Sequence, residues 1–530
     1  MTTLEPRPAY SQEELKKLYP SQLKLQLVQV LMRHGERSPV SARFQSAGLA
    51  SFWPYCAAAR RLSSIIMTDE NSAEWDKLEW RRRLETFGED DSPVVAAGPS
   101  GQLDAVCNLG ELTDKGRATT LSLGRRLRHL YVEQLGYMPR LLTDADMIYL
   151  RATPIPRALE SVQQAFWGMY PLSARTGTFP APTIITRTPA DETLYPNDGN
   201  CRRLSQLSRA FAQRTADRWN NTSEMEYLNK LISKWMPVGS ERVAVDSHPR
   251  LSGIMDTINS TLAHGQETRL PNEFYDAKGR DIIERIGVEE WFSGYYESRE
   301  YRALGIGSLL GDIVSRMIGS VEGNGNDGLL EIGGDDRSLG TGRGGEKRIS
   351  FALSGCHDTT LASLLSSVGA FQGERWPPYT SHVALELFQE TDRLLDGSEL
   401  HKNTPSVSSS AAGKTESQQK TLWDSLFGKI LGDKKVPPVE SISRRVMDDL
   451  DKKEKEKLEG YYVRLRYNDR PMVVPGCKAA GKHLNGDESF CTLAAFKSIV
   501  DKFTPTNWKR ACTSNMDEPP FPPAVEPGGI

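Results

Sequence analysis

Three runs of apolar residues predict strands of a buried sheet. Residues 23–32 (LKLQLVQVLM) alternate apolar and polar side chains at first and then become almost wholly apolar. Residues 147–151 (MIYLR) and 349–353 (ISFAL) are shorter apolar runs, and each ends in a polar turn. Continuous apolar runs of this length are typical of strands that are buried on both faces.

Helical periodicity separates these strands. Residues 113–135 place leucines on one face and arginines mostly on the other, with Thr113 as a candidate N-cap. Residues 361–368 repeat apolar side chains at helical spacing and end at Gly369. Strands that alternate with helices predict an α/β fold, with a mostly parallel central sheet flanked by helices.

The same pattern divides the chain into a core and a cap. Residues 191–300 lack strand periodicity but contain helical stretches such as LSRAFAQRTADRW, so they predict an inserted, mostly helical cap. The remaining segments are expected to be an N-terminal arm, three parts of the α/β core and a tail: residues 1–21, 22–190, 301–390, 459–515 and 516–530.

Two polar segments interrupt this core. Residues 322–347 are rich in glycine and predict a disordered loop. Residues 391–458 contain SVSSSAAGKTESQQK and DKKEKEKLEG, and they predict a disordered insertion between two strand-like runs, VALELF and YYVRLRY. An insertion of this length costs little, because the entropy of loop closure grows slowly with loop length.

Composition excludes several classes of protein. The 530 residues include 66 Lys and Arg and 69 Asp and Glu, and a net charge of −3 argues against nucleic acid as the main partner. The chain has no run of 18 apolar residues, so no transmembrane segment is expected. The first 20 residues include Glu5, Glu13 and Glu14 and contain no apolar signal-peptide region, which favours a cytoplasmic location and leaves a mitochondrial one open. The oligomeric state stays open.

The motif RHGERSP follows the first predicted strand directly. Ligands gather at the carboxyl ends of strands in open α/β sheets, and guanidinium groups such as Arg33 and Arg37 match phosphate oxygens bidentately. A neutral His34 can attack phosphorus if its other ring nitrogen is held by an acceptor, for which the Gly35 carbonyl is a candidate. The alternative is a surface histidine in a basic turn.

A second motif, SGCHD, follows the strand at residues 349–353. Here His357 can donate to a phosphate, and Asp358 at a helix N-terminus can act as a general acid, unless it only caps the helix. In LRATPIPR, Arg151 offers a third guanidinium at the same sheet edge, whereas Arg157 is expected to orient the turn through an ion pair.

Together these motifs resemble the histidine acid phosphatases, branch 2 of the histidine phosphatases. The resemblance extends over most of the chain and includes GELTDKGRATTLSLGRRLR and IYLRATPIPRALES. The segments ADETLYPNDGNC and WPPYTSHVALELF look most like the lysophosphatidic acid phosphatase type 6-like members. The fold implied is the phosphoglycerate mutase-like histidine phosphatase fold with a helical cap.

The resemblance also implies a phosphoric monoester hydrolase that works through a phosphohistidine. His34 would be the nucleophile, and Asp358 would protonate the leaving alcohol and then assist water. Four residues would hold the phosphate: Arg33, Arg37, Arg151 and His357. No metal or cofactor is implied, and the remaining histidines lack ligand spacing. Family disulfides would pair Cys477 with Cys491 and Cys201 with Cys512.

The substrate class remains open at this level. The resemblance favours phosphate monoesters of the lysophosphatidic acid type. The alternatives are an inositol-phosphate (phytase-like) phosphatase, disfavoured because Val40 stands where such relatives usually have threonine, and a catalytically silent phosphate-binding or scaffold protein. Trp376 is interpreted as packing.

Overall fold

The computed structural model describes residues 2–4, 7–71, 74–323, 349–391 and 441–530. The strands in these residues are β1 (Leu23–Arg33), β2 (Leu62–Asp69), β3 (Glu74–Trp80), β4 (Glu85–Phe87), β5 (Pro93–Val95), β6 (Ile148–Ala152), β7 (Ile184–Ile185), β8 (Phe351–Cys356), β9 (His382–Glu390), β10 (Tyr461–Tyr467), β11 (Arg470–Met472), β12 (His483–Leu484) and β13 (Asp487–Thr492). The α-helices are α1 (Gln12–Leu18), α2 (Asp114–Arg128), α3 (Pro156–Met169), α4 (Arg202–Trp219), α5 (Ser223–Ile232), α6 (Leu251–Ala263), α7 (Ala277–Glu297), α8 (Arg299–Arg302), α9 (Ser308–Glu322), α10 (Asp358–Ser367), α11 (Lys452–Glu456), α12 (Leu493–Asp501) and α13 (Trp508–Ala511).

A mixed sheet of nine strands forms the centre of the molecule. Its order is β12-β13-β10-β9-β1-β8-β6-β7, with β11 paired to β10. Strands β1, β8, β6 and β7 run parallel, whereas β9 joins β1 antiparallel and β10 joins β9 antiparallel. The parallel strands are covered by helices, because their residues are apolar on both faces. The predicted α/β fold with a parallel core is therefore confirmed.

The elements around the sheet follow the sequence pattern closely. All three apolar runs form strands, and α2 begins after Thr113, whose side chain accepts a hydrogen bond from the Gly116 N–H. Helices α4 to α7 occupy the segment predicted as a cap and share an apolar cluster that includes Met225, Ile254 and Ile286. Two hairpins, β2–β3 and β4–β5, were not predicted.

The predicted insertion at residues 391–458 is too long at its C-terminal end. Residues 441–458 form short helices, and Ile442, Leu450 and Leu458 are buried in the main core. Helix α11 is capped by Asp451 and Glu454, so its Lys and Glu residues cover a solvated helix face rather than a disordered chain. Residues 392–440 and 324–348, which hold the rest of the two predicted disordered segments, lie outside the described residues.

Among the described residues, one helical segment is long and apolar enough to cross a membrane. It spans Arg299–Glu322, has 24 residues and a mean hydropathy of 1.3, and 83% of its most apolar window is buried inside the protein. Leu310, Ile313 and Met317 from this segment lie in the main core. This packing accounts for the apolar composition of the segment.

Three disulfides link distant parts of the described chain. Cys201 at the start of α4 is bonded to Cys512, and Cys477 is bonded to Cys491, which are the two pairs that the family resemblance implies. A third bond, Cys56–Cys107, was not predicted, and it closes a loop that holds both unpredicted hairpins. Cys356 is a buried free thiol.

Candidate active site

Two neighbouring strands bring the RHG and HD motifs together. Strands β1 and β8 are parallel and in register, with Met32 opposite Gly355 and Arg33 opposite Cys356. Both histidines follow at the next position, so the His34 and His357 rings lie with centroids 5.4 Å apart. The carboxyl ends of the parallel strands thus form one site, as expected for an α/β sheet.

His34 is held as a neutral imidazole with one free nitrogen. Its Nδ1 lies 2.8 Å from the Gly35 carbonyl, and since a carbonyl can only accept, Nδ1 carries the proton and Nε2 is unprotonated. Burial lowers the pKa of His34 well below its usual value, and the positive charges of Arg157, Arg33 and Arg37 lower it further. Gly35 is required here because a Cβ at this position would lie 2.3 Å from the Gly116 carbonyl oxygen.

Arg33 connects the two motifs. Its Nη2 lies 2.8 Å from Oδ2 of Asp358, its Nη1 donates to the Pro377 carbonyl, and its guanidinium stacks 4.1 Å above the ring of Tyr379. These contacts hold the buried guanidinium in one orientation beside His34.

Arg37 is oriented by the cap rather than by the core. Asp256 of α6 accepts from Arg37 Nη2 at 2.7 Å and also pairs with Arg43 at 3.3 Å. One cap carboxylate therefore fixes two guanidinium groups at the mouth of the site.

The HD pair has one neutral and one charged member. Nε2 of His357 shares a 3.1 Å hydrogen bond with the hydroxyl of Thr153. Burial lowers the pKa of His357 to about 3, and the positive charge of Arg157 contributes to this decrease. Burial alone would raise the pKa of Asp358, but Arg33 and a 2.9 Å hydrogen bond from Trp376 Nε1 outweigh it, so the pKa lies below its usual value. Asp358 is the first residue of α10.

The structure changes the assignment of the third arginine of the site from Arg151 to Arg157. Strand β6 continues to Ala152, so Arg151 lies inside the strand, where it is fully buried and pairs with Glu192 at 2.7 Å. Arg157, in the first turn of α3, is instead the guanidinium that acts on His34 and His357. Burial lowers the pKa of Arg157 to about 10, and the nearby charge of Arg37 lowers it as well. The prediction for Arg151 was wrong because the strand was ended one residue too early.

Comparison with known proteins gives this geometry a family. Residues 24–407 match the sequence profile of the histidine phosphatase superfamily (branch 2). The chain belongs to this superfamily.

Its relatives include phosphatases of two kinds. A probable acid phosphatase of Schizosaccharomyces pombe (strain 972 / ATCC 24843) is 36% identical over 93% of this chain and 95% of the relative. Lysophosphatidic acid phosphatase type 6 of Homo sapiens is 25% identical over 70% of this chain and 76% of that protein. The chain is therefore a phosphoric monoester hydrolase of the histidine acid phosphatase type.

Solved structures that are similar to this chain include a phosphatase and a phytase. The phosphate complex of Bifidobacterium longum multiple inositol polyphosphate phosphatase matches 96% of this chain and 98% of its own with a TM-score of 0.49 and 12% identity. The phytase of Klebsiella sp ASR1 matches 92% and 99% with a TM-score of 0.46 and 14% identity.

The site of this histidine phosphatase opens into a cavity of about 620 Å³. Core residues Arg33 and Asp358 form its floor, and the cap supplies Asp256 and Arg250. An apolar part of the wall consists of Val40, Phe44, Pro237, Met255, Trp291 and Trp376. Within the described residues, no group of three or more His, Cys, Asp or Glu side chains is placed to hold a metal ion.

Sequence reasoning missed three residues of the phosphatase site: Arg157, Asp256 and Trp376. Arg157 follows Pro156 at the start of α3, and a helix that begins just after a strand end points its first turn at the site. Trp376 was interpreted as packing, but its Nε1 donates to Asp358; its place in the WPPY segment of the family resemblance was the one sequence signal that could have found it. Asp256 carries no sequence signal, because only folding brings α6 to Arg37.

Proposed function

We propose that this phosphatase transfers the phosphate of a monoester to Nε2 of His34 and then to water. The observation that supports it best is the Nδ1–Gly35 hydrogen bond, because it leaves Nε2 unprotonated among three guanidinium groups. In the first step the N–P bond forms and the ester P–O bond breaks. In the second step water attacks phosphorus, the N–P bond breaks and His34 returns to its neutral form.

Three arginines would bind the phosphate oxygens. Arg33 and Arg37 are fixed by Asp358 and Asp256, and Arg157 contributes a charge that burial and repulsion disfavour in the free enzyme. A bound phosphate would relieve this repulsion, because its negative charge compensates the arginines. His357 is buried beside them and would add a hydrogen bond.

Asp358 would serve as the acid and then as the base. In the free enzyme Arg33 and Trp376 favour its charged form. A bound phosphate brings negative charge next to the carboxylate and competes for Arg33, and both effects raise the pKa of Asp358. The protonated carboxyl would donate to the leaving oxygen, and the resulting carboxylate would take a proton from the attacking water.

The covalent step can be tested by trapping. When the enzyme is mixed with ³²P-labelled substrate and quenched in alkali, we expect labelled protein whose label sits on a peptide that contains His34. A phosphohistidine survives alkali and is lost in acid, which distinguishes it from a phosphoserine. Unlabelled protein that still binds phosphate tightly would support the silent phosphate-binding alternative instead.

We further propose substrates of the lysophosphatidic acid type, with one phosphate and an apolar leaving group. Most guanidinium groups of the cavity already face a carboxylate: Arg33 faces Asp358, Arg37 and Arg43 share Asp256, and Arg250 pairs with Glu290. This leaves little free positive charge for a second phosphate, whereas the wall offers apolar side chains. We expect kcat/KM for lysophosphatidic acid to exceed that for phytate by at least about 10-fold. This is the effect of leaving one additional phosphate of phytate without a positively charged partner in the cavity. Equal or reversed values would favour the inositol-phosphate alternative.

Trp376→Phe should shift the pH dependence of the enzyme. The change keeps the ring but removes the N–H that lowers the pKa of Asp358. The carboxyl then stays protonated to a higher pH, so the alkaline limb of kcat/KM for an alkyl phosphate should move up by about 1 pH unit. Trp291→Phe, which leaves the bond to Asp358 intact, is the control. Identical limbs in the wild type and both variants would contradict this role of Trp376.

A further inference from the structure

The first described residues of the chain lie against the active site. Thr3 forms a parallel bridge with Tyr379, in which the Tyr379 N–H donates to the Thr2 carbonyl at 2.9 Å and the Leu4 N–H donates to the Tyr379 carbonyl at 3.0 Å. We call residues 2–4 the arm segment. The arm segment therefore satisfies both backbone polar groups of Tyr379, which is a buried residue.

The stretch that begins at Tyr379 runs alongside the RHG motif. The Arg33 N–H donates to the Ser381 carbonyl at 2.8 Å, and the Thr380 N–H donates to the His34 carbonyl at 3.3 Å. The guanidinium of Arg33 lies 4.1 Å from the centroid of the Tyr379 ring, and that ring lies 6.0 Å from the ring of His34. A displacement of Tyr379 would therefore move the guanidinium beside His34.

The backbone of this stretch is strained. Thr380 has a φ of +65°, in the left-handed region that β-branched residues rarely adopt. Such a conformation persists only where the surrounding contacts determine it. On one side the arm segment bonds the preceding residue, and on the other the Thr380 hydroxyl lies 2.9 Å from the hydroxyl of Thr119 on α2. The arm segment is thus one of the two supports of the strained residue.

A side chain of the arm segment also reaches the RHGERSP motif. Oγ1 of Thr3 donates to Oε1 of Glu36 at 2.6 Å, and Oγ1 of Thr119 donates to Oε2 at 2.6 Å. Glu36 is fully buried, and it lies between His34 and Arg37 in the chain. Among the described residues, Thr3 is the one donor to Oε1. Without this hydroxyl Oε1 would be a buried acceptor with no donor, a state that favours rearrangement of the motif.

We propose that Thr3 is a positioning residue for the catalytic arginines. The arm segment fixes Tyr379, against which Arg33 is stacked, and the Thr3 hydroxyl fixes Glu36, which precedes Arg37. The inference rests on the proposed role of Arg33 and Arg37 in binding phosphate. A shift of about 1 Å in such groups can lower a rate by about 100-fold, so a contact outside the cavity can control turnover.

The first test removes the hydroxyl of Thr3. Thr3→Val keeps the shape of the side chain, and we expect it to lower kcat/KM for p-nitrophenyl phosphate by about 10-fold and to raise the Ki of inorganic phosphate by a similar factor. Thr3→Ser keeps the hydroxyl and should restore wild-type values. The matched control is Thr2→Val, which removes a neighbouring hydroxyl but keeps the carbonyl that bonds Tyr379, and it should behave as the wild type does.

Thermal melting separates positioning from stabilisation. We expect Thr3→Val to lose turnover well below its melting temperature, where circular dichroism shows that the variant is folded. Deletion of residues 2–4 also removes the backbone bonds to Tyr379, so it should lower kcat/KM further, by about 100-fold. A Thr3→Val enzyme that melts earlier but keeps wild-type kcat/KM and Ki would give the arm segment a stabilising role only and would overturn the proposal.

Two further results would overturn it. If the deletion variant turns over substrate as the wild type does, the arm segment does not position the site. If Thr3→Ser loses as much turnover as Thr3→Val, the loss does not come from the hydroxyl bonded to Glu36. Neither result affects the phosphohistidine mechanism, whose failure would appear as the absence of labelled His34 in the wild-type enzyme.

Discussion

Replacing His34 with alanine should lower kcat for p-nitrophenyl phosphate by at least about 10⁴-fold. The imidazole is the group whose nitrogen forms the bond to phosphorus, and no neighbouring group can take its place: His357 is bonded to Thr153, and Asp358 is bonded to Arg33 and Trp376. Burial and the neighbouring arginines lower the pKa of His34 well below its usual value, so the group removed is a neutral, nucleophilic imidazole at neutral pH.

The control for this change is His129→Ala. His129 lies on the exposed face at the end of α2, contacts Glu133 and lies outside the site, so this variant should retain wild-type turnover. His34→Ala should still bind inorganic phosphate, because Arg33 and Arg37 keep their carboxylate partners. A variant without His34 that is folded, binds phosphate and still turns over substrate would remove His34 from its role.

The strands and helices of the core could be predicted because the pattern of apolar and polar residues that marks each one lies within a short stretch of sequence. The apolar run of β1 and the helical spacing of α2 and α10 each lie within about fifteen residues, and the RHG and HD motifs mark the strand ends where they meet. The hairpins β2–β3 and β4–β5 were missed because no residue of their four strands is buried. Exposed strands lack the alternation of apolar and polar residues by which a strand is recognised.

The position of a charged side chain within a strand was harder to predict than the strand itself. Extending β6 by one residue moves Arg151 from the sheet edge into the sheet, where its side chain meets Glu192. The end of β6 depends on its pairing with β8, in which Ala152 lies opposite Gly355. This pairing joins residues about two hundred positions apart, and the residue pattern around β6 does not predict it.

Arg157→Ala should lower kcat/KM by about 10³-fold, the scale for one preorganised charge lost from a transition state. Arg157 acts electrostatically on His34 and His357, and among the residues that the structure describes it has no carboxylate partner as close as those of Arg33 and Arg37. Its pKa, lowered to about 10 by burial and by Arg37, shows that the free enzyme holds this charge at a cost. Removing the charge should therefore leave the melting temperature unchanged or raise it.

Arg151→Ala should lower stability and largely preserve turnover, which is the opposite of the result expected for Arg157→Ala. The two variants therefore distinguish the roles of the two arginines. Arg151→Ala leaves Glu192 without its buried guanidinium partner, which should lower the free energy of unfolding by about 3 kcal/mol. The protein that remains folded should turn over substrate within about 10-fold of the wild type, since Arg151 pairs with Glu192 inside β6, whereas Arg157, Arg33 and Arg37 are the arginines that act on His34. Thermal melting and steady-state kinetics on both variants measure the two effects independently.

If Arg151→Ala abolished turnover without loss of stability while Arg157→Ala remained active, the assignment of the third guanidinium would revert to Arg151. If Arg157→Ala instead loses turnover and Arg151→Ala loses stability, the third phosphate-binding arginine is Arg157 in the first turn of α3. The arginines that repel each other in the free enzyme would then all attract the bound phosphate.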